Sequence, residues 1–118
     1  SGQAIIDLGD NDVEFARQVF QPATPVTIKG GRFREVTLDQ WKNVTFDGST
    51  FEVADNPGTN AYLVLAYAPE GLTFRNVRFR GIDLNGTLYV ASMSIRGGRN
   101  VAVEKSSCQR LANFAAFV

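Results

Sequence analysis

Apolar residues recur at offsets 0, 2 and 7 along the chain. The copies are Val26, Ile28, Phe33; Val44, Phe46, Phe51; Leu72, Phe74, Phe79; and Val101, Val103, Cys108. Offsets 0 and 2 place two side chains on one face of a strand. The third apolar position follows a polar interruption, so each copy reads as strand, tight bend and second strand. Four copies of one unit imply like units stacked on like, with the core built by the stacking. The expected fold class is all-β, a parallel solenoid of about four to five rungs. The copies start at intervals of 18, 28 and 29 residues, which suits a coil of three strands per turn with connections of unequal length.

Each bend has a defined second position, filled by Gly30, Gly48, Asn76 and Lys105. Glycine and asparagine enter the left-handed backbone region at low cost, so the bend is expected to require that conformation. Lys105 then carries local strain. A third strand of each turn is read at residues 62–67 and 87–95, with residues 113–118 last. Leu63, Leu65, Leu88 and Val90 are expected to point inward, which leaves Val64, Ala66, Ala91, Ala115 and Ala116 on an outer face that is small and apolar. Asn43 and Asn100 each precede a repeat and suit a corner, by stacking or by turn propensity.

Ahead of the repeats, residues 4–8 read as a short strand. Asp10 or Asn11 reads as the N-cap of a helix reaching Phe20, with Val13, Phe15 or Ala16, and Phe20 on one face. Pro22 and Pro25 end it. The expected organisation is residues 1–25 as strand and capping helix and residues 26–118 as rungs, one domain overall.

The copies VTIKGGRF, VTFDGSTF, LTFRNVRF and VAVEKSSC resemble the strand, two-residue bend and strand of right-handed parallel β-helix proteins in the pectate lyase-like superfamily. The likeness spans residues 26–118. It implies a secreted or periplasmic protein and, in one branch, a uronic-acid polysaccharide lyase or epimerase using calcium. Typical members have more turns, so the chain reads as a short, truncated or engineered version.

Composition narrows the chemistry. Twelve basic and twelve acidic residues leave no formal net charge, which offers no electrostatic attraction for nucleic acid or anionic membrane. No apolar stretch approaches the roughly 20 residues that span a bilayer. Histidine is absent, which removes Ser-His and Cys-His pairs and His metal sites. The single Cys108 shares the repeat position of Phe33, Phe51 and Phe79 and is expected to be a buried, inert thiol. Ser1 and Gly2 resemble the remnant of a cleaved tag.

The acids Asp39, Asp47, Asp55, Asp83 and Glu104 are scattered. Asp47 and Glu104 share a bend position with Lys29 and Arg75, which predicts charge pairing across the stack and not a metal cluster. No catalytic residues are assigned, and no cofactor is expected outside the calcium-dependent lyase alternative. Trp41, Tyr62 and Tyr89, with Tyr67, are the candidate carbohydrate platforms. Trp41 also fits a core pattern with Val36, Leu38 and Val44. The last strand, Phe114, Ala115, Ala116, Phe117 and Val118, has no polar cap after it. It is expected to pair with another copy, as a two-fold homodimer. The leading functional expectation is therefore a non-catalytic, truncated or engineered β-helix domain that self-associates through its carboxyl-terminal rung; the alternatives are a carbohydrate-active enzyme fragment (a uronic-acid polysaccharide lyase or epimerase) or a glycan-binding module.

Overall fold

A computed structural model of the protein describes residues 4–14, 17–52, 61–81, 83–84, 87–88, 90–109 and 113–117. The amino-terminal strands are β1 (Ala4–Val13) and β2 (Gln18–Val19). The first repeat forms β3 (Val26–Arg34), followed by β4 (Val36–Asp39). The second forms β5 (Lys42–Asp47) and β6 (Thr50–Glu52), followed by β7 (Ala61–Tyr67). The third forms β8 (Glu70–Arg75) and β9 (Arg78–Arg80). After these come β10 (Asp83–Leu84), β11 (Thr87–Leu88) and β12 (Val90–Arg96). The fourth repeat forms β13 (Arg99–Glu104) and β14 (Ser107–Gln109), and β15 (Asn113–Phe117) closes the series.

The repeats pair in parallel with like residues opposite one another. Val26, Val44, Leu72 and Val101 form one row, and Ile28, Phe46, Phe74 and Val103 a second. Phe33, Phe51, Phe79 and Cys108 form a third. Two aromatic columns result. Phe33 stacks on Phe51 at 5.1 Å and Phe51 on Phe79 at 6.0 Å, while Phe46 stacks on Phe74 at 5.5 Å. The columns lock edge to face, with Phe46 and Phe51 at 5.2 Å and 80°, an arrangement aromatic quadrupoles favour.

Two features of the expected architecture are corrected. Among the described residues there is no helix, and the strands belong to multi-stranded parallel sheets that do not show a β-helix solenoid of four to five rungs. The sheet order β13-β8-β5-β3-β6-β9-β14, with β1 also on β3, makes one eight-stranded sheet; β15-β12-β7-β4-β2 makes a second, and β10-β11 an antiparallel pair. The sequence reading divided each copy into two strands at its bend. Instead β3 runs through Gly30 and Gly31 unbroken and carries β5 on its first half and β6 on its second. Backbone bonds run from bend to bend, Gly48 N to Arg75 O and Asn76 N to Glu104 O, both 3.1 Å.

The expected capping helix over residues 10–20 is replaced by β1 and β2. Ala4, Ile6 and Val13 lie opposite Val26, Ile28 and Phe33, so extending the apolar rows outweighs local helix preference. The candidate N-caps do other work: Asn11 Nδ2 donates to Leu8 O, beside the turn in which Gly9 N donates to Asp7 Oδ1. Gly9 approaches β3 so closely that a Cβ on Gly30 would collide with the Gly9 carbonyl oxygen.

The second-sheet faces are also corrected. Val64 and Ala66, expected outside, are buried, and Leu65, expected inside, is half-buried. The pairing of β7 with β12 skips Leu63: Tyr62 faces Ser92 and Val64 faces Met93. This bulge puts Leu63 and Val64 both inside and reverses every later position. The inner rows are therefore Val36 with Val64 and Leu38 with Ala66. The side chains of Leu88, Val90, Ala91, Ala115 and Ala116 lie outside the description.

Candidate functional site

The bends adopt the expected conformation: φ is positive at Gly30, Gly48, Asn76 and Lys105. Their first positions form a column of alternating sign, Asp7, Lys29, Asp47, Arg75, Glu104. Arg75 Nη2 donates to Asp47 Oδ2 at 3.2 Å, and Asn76 Nδ2 donates to Asp47 Oδ1 at 3.2 Å. The Asn76 bond leads in holding the Asp47 carboxyl below its ordinary 3.8; partial burial opposes it and Arg75 reinforces it. Asn43 and Asn100 also have positive φ, with Gly71 between them in register.

The candidate carbohydrate platforms separate. Trp41 is 4% exposed, donates from Nε1 to Gln18 O at 3.0 Å and stacks on Phe46 at 5.9 Å. It belongs to the core, and its ring presents no face to a surface ligand. Tyr67 has Arg17 and Arg96 at 4.8 and 5.9 Å from its ring centroid. Tyr62 lies in β7, with its side chain outside the description, and Tyr89 lies outside the described residues.

Cys108 is exposed, correcting the expected burial. It is in register with Phe79, but β14 ends the sheet and nothing described lies beyond it. Partial desolvation nevertheless pushes its thiol above the ordinary 9.0. Val103 is 50% exposed, whereas Phe74, one strand inward, is fully buried. Phe114, Ala115, Ala116 and Phe117 lie in β15, which pairs with β12 and ends the second sheet; Val118 lies outside the described residues. Among the described residues β13, β14 and β15 are thus all edge strands. At the opposite edge, β1 exposes Ile5 and Ile6.

A polar surface escaped the sequence reading. Beyond the bend, outward residues form two rows across the sheet: Arg32, Thr50, Arg78 and, beside it, Arg34, Glu52, Arg80. Glu52 lies 3.6 Å from Arg32, 3.4 Å from Arg34 and 3.7 Å from Arg80. Among the described residues Arg80 Nε is buried without a hydrogen-bond partner. Arg32 also approaches Asp12 at 3.7 Å. The signal was present as arginines at two shared offsets of the first and third copies, Arg32 with Arg78 and Arg34 with Arg80, hidden by a neutral total charge.

Of the acids considered, Asp39 pairs with Arg17 at 3.3 Å and Asp47 with Arg75. Asp55 lies outside the described residues, and Asp83 is in β10. Among the described residues no three metal-ligating side chains come together. Comparison with protein-family models, curated proteins and solved structures finds no match to this chain, so nothing there identifies it with the pectate lyase-like superfamily.

Proposed function

We propose that the chain is a non-catalytic β-sheet domain that self-associates through β13, β14 and β15. The observation that carries this is the step from the fully buried Phe74 to its half-exposed register partner Val103. Among the described residues the apolar row thus ends at the sheet edge. An edge strand offers unpaired N–H and C=O groups, and apolar side chains beside them favour pairing with another chain.

Two modes of association are open to this edge. A head-to-tail contact continuing the register sets Asp7 of one copy against Glu104 of the next, ending the alternation with two carboxylates directly opposed. A two-fold contact centred on Ala102 sets Val101 of each copy opposite Val103 of the other, but also Arg99 opposite Lys105, so charge does not separate the modes; the isologous contact makes the apolar pair twice and closes at two copies. The two-fold mode is favoured.

Sedimentation velocity at tens of micromolar tests the reading. The expected result is a dimer that Val103→Lys converts to monomer. A monomer in the unsubstituted chain removes the proposal, and an open-ended series of larger species removes the two-fold mode.

A further inference from the structure

We infer that the notch over Thr50, between Arg32 and Arg78, binds a sulfate or phosphate group. The protein supplies its own comparison. In the neighbouring row, the position between Arg34 and Arg80 holds Glu52, whose carboxylate lies within 4 Å of both guanidiniums and of Arg32. In the row of Arg32, Thr50 and Arg78 the flanking cations recur, but the middle side chain is short and neutral. Neighbouring strands lie about 4.8 Å apart, so the flanking residues of each row are about 10 Å apart at the backbone. Two long side chains at that spacing reach over a short one between them.

The notch is a real concavity. A cleft of about 80 Å³ opens there, lined by Arg32, Thr50, Arg78 and Asp10 with Gly31 and Gly48 beside them. Among the described residues Arg78 is exposed and pairs with no carboxylate. Glu52 already divides itself among three guanidiniums at 3.4–3.7 Å. Two guanidinium forks and a hydroxyl supply charge-assisted donors to the several oxygens of a tetrahedral oxyanion. Asp10 at the rim and Asp12 on Arg32 oppose binding and lower the affinity.

The test is an NMR titration of the full chain with sodium sulfate, sodium phosphate and glucose 6-sulfate, each against sodium chloride at matched ionic strength. Saturable shifts are expected at the amides around Thr50 and Arg78, beyond those with chloride. Arg78→Gln is expected to weaken the response roughly tenfold or more, the scale of one charge-assisted hydrogen bond. Thr50→Glu installs the carboxylate of the neighbouring row, so it is expected to abolish the response while raising the melting temperature. Tighter binding of the ester would identify a sulfated sugar as the carrier, and equal binding a free anion; either supports the site. Shifts no larger than with chloride, or shifts that survive in both Thr50→Glu and Arg78→Gln, would overturn it. The dispersed spectrum of each variant reports folding independently of the titration.

Discussion

Phe46 and Phe74 lie ring over ring, 5.5 Å apart and 10° from parallel, at matching positions of successive repeats. Trp41 continues the stack on Phe46, and Phe33 and Phe51 meet Phe46 edge-on at 80°. Phe46 is therefore shared by both aromatic columns. Phe46→Ala is expected to cost about 3–5 kcal/mol, as for other buried aromatic truncations. Val103→Ala at the exposed end of the same row is expected to cost less than about 1 kcal/mol. Urea denaturation followed by circular dichroism gives both values, and equal losses would place the core elsewhere.

Asp47 links stability to acid. Its carboxyl titrates below the ordinary 3.8, first because Asn76 donates to it and then because Arg75 faces it. A depressed folded-state pKa stabilises the protein at pH above the unfolded value, and that contribution is lost as pH falls through the folded value. The loss is therefore confined to pH below about 4. Asn76→Gly keeps a residue suited to the positive φ and removes the amide. Carboxyl-carbon NMR titration is expected to show Asp47 moving up toward 3.8 in that variant. No movement would mean that Asn76 does not act on the carboxylate.

Lys105 has a φ of 48°, in the position where the other copies have Gly30, Gly48 and Asn76. A side chain with a Cβ is strained there, and glycine is not. Lys105→Gly is expected to stabilise the protein by roughly 0.5–1 kcal/mol. A thermal or urea midpoint that falls would show that the lysine makes a compensating contact.

The rows of like residues and the positive-φ bends were legible in the chain because both follow from local spacing and from residues with few backbone options. Phe33, Phe51 and Phe79 could be aligned by offset alone, and Gly48 and Asn76 marked their bends. Four things were not legible. The helix read over residues 10–20 rested on caps and periodicity, while β1 is held by long-range pairing of Ala4, Ile6 and Val13 with β3. The faces of β7 were read one residue out of phase, because nothing local marks the bulge at Leu63. The exposure of Cys108 depends on what lies beyond β14, which its repeat position does not encode. The arginine rows around Glu52 needed the register before their residues could be seen as neighbours.

The register of the large sheet underlies the core, the charge column and the arginine rows alike. Thr45 and Thr73 are Cα partners on its outer face. In a Cys108→Ser background, Thr45→Cys with Thr73→Cys is expected to form a disulfide rapidly under mild oxidation, since directly paired positions fall within disulfide range. Thr45→Cys with Arg75→Cys, offset by two residues along the neighbouring strand and so about 8 Å apart, is expected to remain reduced. Cross-linking of the offset pair in preference to the matched one would contradict the account.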